Sequence, residues 1–485
     1  MKKIGTKIIA CVLLASSTLS IAACGGTGQQ GDDTVYITAS LAGYRKQWLE
    51  GVAEKYTEQT GVTVEIEWDS NLMSNVSNVF DIQTNMSDIY YLNTTGATQT
   101  MTWYVTGKLE SLNEVFEADN GSGMTIAESV RDEFKQAGVY KGVHYSLPMT
   151  NGFKALVYNP DYLEAVGWNH FPDTVDEFAK FCDDINASDL KAPDGTKVKP
   201  LVWSGIYTSM SDVVTVMEGQ YGGQAEWDAY YGQNGDAPDY NLYHRKSVEV
   251  SYDNLQKIMK PDGSGVSLNS LDGSMAKTHT EAQTAFLNGY AAVCTSGSWF
   301  ETEMGAVTAG KKYKLGKFPL AADENGNYAK EGHSMTKIDP NGPDAPSNYK
   351  KFKTSELDGD CMLIPKKAAN KQGAKDFMKF MLREENLRYM HEQAGSPFKY
   401  KYSYDGLELS AWEQEVMEYD ASTISLIRGS SNPYSIFGVL GGARLPEINK
   451  ACITKNYDYK TNIIDWLWTD VTKNWAERVE VIEGI

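Results

Sequence analysis

"TVYITASLAGYRKQWLEGVAEKYTEQTGVTVEIEW", residues 34–68, decides the fold class. Its first seven residues alternate as a strand does. From Arg45 to Thr60, the side chains of Trp48, Leu49, Val52, Ala53 and Tyr56 fall on one helical face, and Gly61 supplies a helix-ending cap. Val62, Val64, Ile66 and Trp68 then alternate again. Strand, helix, strand in so short a span is the building unit of a parallel sheet, so the chain is read as α/β.

The same signals recur downstream. "SDIYYLN" (87–93) is a further short strand, in which Asp88 is read as structural. "GVYKGVHYSLP" (138–148) is read as a hairpin turning at Lys141-Gly142, and "FKALVYN" (153–159) as another strand. In "PDTVDEFAKFCDDI" (172–185), Thr174 caps a helix with Glu177 reaching back, and Val175, Phe178, Cys182 and Ile185 mark its core stripe. "EAQTAFLNGYAAVCTSG" (281–297) is a helix closed by Gly289 and then a strand. "AKDFMKFMLREENLRYM" (374–390) places Ala374, Phe377, Met378, Met381 and Leu382 on one face. Polar Gly/Asp/Asn/Pro clusters at 192–200, 232–239, 261–273 and 323–347 are read as loops.

The first residues are read as targeting sequence. Lys2, Lys3 and Lys7 precede an apolar run, Ile8 to Ala15, that is too short to span a membrane. "LSIAAC" followed by "GGTGQQGDD" resembles a lipobox, which implies cleavage before Cys24 and acylation of its thiol, with residues 24–32 as a tether. Removing residues 1–23 leaves 462 of the 485 residues and takes the net charge from −19 to −22. That length points to two lobes. That charge excludes nucleic acid as a partner and leaves a lipid anchor as the only membrane contact. Cys182, Cys294, Cys361 and Cys452 remain, far apart, and are read as packing residues, with one disulfide left open.

Six segments in order then resemble one family: "SDIYYLN", "GKLESLNEVF", "YKGVHYSLPMTNGFKALVYN", "GWNHFPDTVDEFAKFCDDI", "AFLNGYAAVCTSGSW" and "LIPKKAANKQGAKDFMKFML". The chain resembles the family 1 extracellular solute-binding proteins of ABC importers, the maltose-binding-protein-like carbohydrate type. The resemblance implies a two-lobed periplasmic-binding-protein-like fold (type II), with discontinuous lobes hinged around a ligand cleft. It implies lobe one at 33–149 and 317–386 and lobe two at 150–316 and 387–485, with crossovers at "SLPMTN" (146–151) and "GKFPL" (316–320). It further implies a monomer that captures a mono- or oligosaccharide and docks on an ABC permease at the outer face of a bacterial membrane, with no cofactor.

Sugars offer hydroxyls and apolar C–H faces, which proteins meet with flat aromatic rings, amides and charged groups. Trp299 follows Gly297 and Ser298 just past a strand end, where α/β folds place ligand groups. The resemblance implies a stacking aromatic there; the alternative is a core residue. Tyr44 and Arg45 begin the first helix, as cleft groups or a solvated loop. Asn93 and Thr94 end the "SDIYYLN" strand. Asn151 and Phe153 lie at the crossover, Trp203 and Tyr207 follow a strand-like run, and Tyr434 sits in the tail.

Catalytic and metal residues are not expected. Ser274-Met275-Ala276-Lys277 matches S-x-x-K, but no K-T-G follows. The six histidines show no ligand spacing. A surface carbohydrate-active hydrolase and a non-transport sensor or scaffold lipoprotein stand as alternatives.

Overall fold

The computed structural model describes residues 34–41, 43–72, 87–93, 102–207, 209–231, 238–329, 335–337, 351–356, 360–428 and 441–483. The signal, the tether and Cys24 lie outside them.

The opening unit folds as its pattern dictates. Strand β1 (Thr34–Ser40) pairs in parallel with β2 (Thr63–Asp69) on one side and β3 (Ile89–Asn93) on the other. Helix α1 (Gln47–Thr60) crosses between β1 and β2 and buries Trp48, Leu49, Val52, Ala53 and Tyr56. Burying each large apolar side chain contributes about 1.5–3 kcal/mol. Gly61 takes φ 77° and its N–H donates to Thr57 O at 2.8 Å, a left-handed cap that a Cβ would penalise. The helix starts at Gln47 rather than Arg45, because residues 43–46 form a turn.

Local chemistry sets several other elements. β4 (Val139–Tyr140) and β5 (Val143–His144) form the expected hairpin, with Lys141 and Gly142 at φ 49° and 77°, the left-handed pair of a tight hairpin turn. Helix α2 (Val175–Ala187) begins with a complete capping box: Glu177 N donates to Thr174 Oγ1 at 3.1 Å and Thr174 N donates to Glu177 Oε2 at 3.1 Å. Asp88 is structural, accepting from Tyr36 N at 3.1 Å and Asn370 N at 2.7 Å. Within the stretch 323–347 read as loop, β11 (Asn327–Ala329) and β12 (Met335–Lys337) pair as a small hairpin.

Two sheets organise the molecule into two lobes. The first runs β2-β1-β3-β14-β6, where β6 is Ser146–Pro148 and β14 is Asp360–Leu363. β14 returns from far along the chain and lies antiparallel to both β3 and β6. The second runs β10-β7-β9-β8, built from β7 (Lys154–Tyr158), β8 (Lys199–Val202), β9 (Ala291–Gly297) and β10 (Lys314–Gly316). A further parallel pair joins β13 (Lys351–Glu356) to β15 (Thr423–Arg428).

Core packing groups distant segments around each sheet. Phe318 and Ala321 pack with Phe178 of α2 and with Leu156 and Val293 of the second sheet. Leu387, Met390, Phe398 and Tyr400 pack with Trp48 of α1 and with Leu147 and Met362 of the first sheet. They do so because α6 (Lys371–Met381) and α7 (Glu384–Ala394) run consecutively against that core. The crossing segments meet at a seam, where Thr150 bridges Phe398 and Phe153 bridges Ser355. Cys182, Cys294, Cys361 and Cys452 are all buried and unbridged.

Candidate functional site

Strand β9 is apolar where it is buried and small where it ends. Ala291 to Cys294 are sealed in the cores, and burial, with Glu303 nearby, pushes the Cys294 thiol up, away from the nucleophilic thiolate. Ser298, also buried, is consumed by its neighbours. Its N–H donates to Phe153 O at 3.0 Å, its Oγ accepts from Phe153 N at 3.2 Å, and its carbonyl accepts from Trp412 Nε1 at 3.0 Å. These bonds hold the strand end rigidly and aim the next residue, Trp299.

Trp299 precedes the short helix α5 (Phe300–Met304) and is half-buried. Three glycines from three segments make its slot. A methyl group added at Gly297 would stand 2.4 Å from Trp299 Cη2 and 2.5 Å from Phe153 O. One at Gly152 would lie 3.7 Å from Cε3, and one at Gly43 would lie 3.4 Å from Cβ and Cδ1. Gly43 belongs to the turn after β1, so the first lobe reaches the ring of the second. Thr302 Oγ1 reinforces that meeting, 2.6 Å from Gly43 O and 2.8 Å from Trp299 O. The fit predicts that Gly297→Ala displaces the indole. The expected result is a shifted tryptophan emission maximum with the fold retained by far-UV circular dichroism; unchanged emission would contradict this packing.

A lysine covers the ring, and further polar groups gather beside β9. Lys154 Nζ, from β7, sits 4.8 Å over the indole and 3.3 Å from Asp212 Oδ2 of helix α3 (Ser209–Tyr231). Beside β9, Gln283 Nε2 of helix α4 (His279–Leu287) donates to Ser296 Oγ at 3.0 Å and to Glu303 Oε2 at 2.7 Å. Glu303 Oε1 lies 3.0 Å from His279 Nε2, and the Tyr207 ring meets His279 edge-on at 4.8 Å. Tyr207 is exposed. An aromatic ring, a lysine–aspartate pair, a histidine–glutamate contact and nearby amide and hydroxyl groups can hold a neutral polyhydroxylated solute.

The other candidates separate. Tyr44 reaches into the seam, its hydroxyl among those of Thr150, Ser396 and Ser298; burial, then the Asp360 carboxylate, push its phenol up despite those bonds. Arg45 is exposed, its guanidinium carbon 3.6 Å from where a methyl on Gly395 would stand. Asn93 is half-exposed at the end of β3, its N–H donating to Ser40 Oγ at 2.9 Å. Trp203, Phe153 and Asn151 are closed off. Trp203 is in the second core with Nε1 donating to Ser270 Oγ at 2.8 Å. Phe153 stacks on Tyr419 at 4.9 Å, and Asn151 Nδ2 donates to Asp420 Oδ2 at 3.3 Å in the seam. Thr94 and Tyr434 lie outside the described residues.

Sequence reading passed over Lys154 and Asp212. Each has a signal: a lysine opening the apolar "ALVY" strand, and a lone acid at the start of the apolar stretch "VVTVM". It also passed over a His/Asp/Glu cluster. The ligand-capable atoms of His170, Asp173 and Glu177 lie within 4.8 Å of one another. Glu177 is occupied by the helix cap and Asp173 pairs with Lys351. Ser274 of the S-x-x-K match donates its Oγ to Leu271 O at 2.7 Å. An open groove between α1 and β2, lined by Glu50, Glu54, Thr57, Glu58, Val64 and Ile66, carries none of the groups around Trp299.

The family model described as bacterial extracellular solute-binding protein matches residues 51–404. The chain belongs to this family. No curated protein matches it in sequence. Among solved structures, it is similar to a chitin oligosaccharide binding protein, at 14% identity and a TM-score of 0.63, covering 92% of this chain and 99% of that one. It is also similar to the bacterial solute receptor AcbH, described as having an exclusive preference for β-D-galactopyranose. That match has 13% identity and a TM-score of 0.53, and covers 90% of this chain and all of the other. At these identities the likeness establishes the shared fold. Family membership makes the protein a solute-binding protein acting outside the cytoplasm, and no helix among the described residues is long and apolar enough to cross a membrane.

Proposed function

We propose that this protein is a lipid-anchored receptor that captures a mono- or oligosaccharide between its two lobes and delivers it, as a monomer, to an ABC permease. The observation that carries this reading is Trp299: a half-buried indole at the carboxyl end of β9, reached from the other lobe by Gly43 and covered by Lys154, which pairs with Asp212. Aromatic platforms ringed by hydrogen-bonding groups suit sugar C–H faces and hydroxyls. The saccharide-binding descriptions of two proteins that share the fold support the same class. Anchoring through Cys24 would leave the lobes free at the membrane surface. In this reading residues 34–149 and 360–402 form one lobe and residues 153–321 the other, and solute stabilises their closed arrangement.

Purified protein without its first 23 residues should melt higher in the presence of its solute, by mass action on the folded state. A thermal-shift series with D-galactose, chitotriose and a broad set of neutral mono- and oligosaccharides tests this. At a hundredfold excess over Kd the stabilisation is about 2.7 kcal/mol, several degrees in Tm. If no saccharide moved the midpoint, this reading would fail.

A further inference from the structure

We infer that Lys154 is a positioning residue that seals one face of the Trp299 indole and leaves the opposite face as the solute platform. The inference rests on the cleft reading above but reaches a residue and an orientation which that reading does not assign. The Lys154 ammonium is over the ring and at the same time beside Asp212. One position therefore satisfies both contacts, and the lysine does not have to choose between them. Asp212 is buried, with a side chain 6% exposed, on a helix packed against the second core, so it is a fixed anchor. Strand register supports the arrangement: Lys154 pairs directly with Gly297, two residues before Trp299, so stem and ring rise from adjacent strand ends.

An indole has two faces and pivots about two side-chain torsions. The three glycines of its slot close in on the ring with backbone alone and place no side chain on it. A cation held over one face is attracted to the π cloud there and stops the ring from swinging. Solute is then offered a single face, already oriented, so less side-chain freedom is lost on binding. The carboxylate of Asp212 offsets the lysine charge, which suits an uncharged C–H face over a second cation.

The test uses the chain without its first 23 residues. Acrylamide quenching of Trp299 is read as the difference between each protein and the same protein carrying Trp299→Phe. Lys154→Ala should raise that quenching about twofold, and Lys154→Arg, which can both stack and pair, should restore it. Asp212→Asn, which keeps the lysine but removes its anchor, should give an intermediate rise and serves if Lys154→Ala does not fold. For D-galactose or chitotriose, whichever the unaltered protein binds, Lys154→Ala should weaken affinity about tenfold, with Arg recovering most of it. Trp299 quenching that is the same with and without the Lys154 ammonium, in proteins that keep their fold, would overturn the inference. If neither sugar bound the unaltered protein, the saccharide reading would lose support, while the ligand-free quenching would still decide whether Lys154 seals the ring.

Discussion

Asp420→Ala is expected to destabilise the protein by about 3–5 kcal/mol, the cost of leaving the buried Lys353 ammonium without its carboxylate. Asp420 ends helix α8 (Ala411–Ala421) with its side chain 12% exposed. Arg131 Nη1, from the first-lobe segment, lies 2.7 Å from Oδ2, and Lys353 Nζ, from β13, lies 2.8 Å from Oδ1. Asn151 adds an amide hydrogen bond at the crossover. The Lys353 side chain is 1% exposed, so water cannot replace the lost carboxylate. Asp420→Asn keeps the shape and should cost less. Urea denaturation of both variants measures the difference, and an alanine variant within 1 kcal/mol of the parent would contradict the role given to this cluster.

The same carboxylate makes a pH prediction. Burial alone would raise its pKa, but Lys353 and Arg131 outweigh burial and hold it below the ordinary carboxylate value. A group whose folded pKa is depressed contributes stability above its unfolded pKa, about 3.9. That contribution is lost as pH falls from there through the lower folded value. The parent should therefore lose stability below about pH 4 more steeply than Asp420→Asn.

Trp299→Ala carries the second large effect, on binding. Removing the indole takes away the apolar face on which a sugar ring rests and should weaken saccharide affinity by about 1–3 kcal/mol, roughly 5- to 150-fold. Stability should change little by comparison. The ring is half-buried, its slot is lined by glycines that pack no side chain against it, and the Ser298–Phe153 and Ser298–Trp412 bonds that hold the strand end do not involve it. Loss of the fold would return Trp299 to a core role.

What could be read from sequence follows the range of the interactions. The α1 stripe, the Gly61 cap, the Lys141-Gly142 turn, the Thr174 capping box and the Ala374 to Leu382 stripe are set by residues a few positions apart, and each stands in the structure. The placement of Trp299 past β9 follows from the small residues that precede it. The insertion of β14 between β3 and β6, the packing of Leu387 to Tyr400 on the first core, and the Arg131–Asp420–Lys353 cluster join distant segments and leave no periodic trace. Arg131 and Asp420 are 289 positions apart. Trp203 and Phe153 looked like ligand aromatics because they follow or begin strands. Their rings turn inward because Ser270 and Tyr419 wait there, partners that only the tertiary fold supplies. Lys154 and Asp212 meet across 58 positions for the same reason.

The central claim is that the cleft at Trp299 takes a saccharide. Isothermal titration of the chain without its first 23 residues, with the saccharide that most raises its melting temperature, against the Trp299→Ala variant of matched fold, tests it most directly. The account predicts one-site binding to the parent and at least a fivefold weaker Kd in the variant. Equal affinity in the two proteins would contradict it.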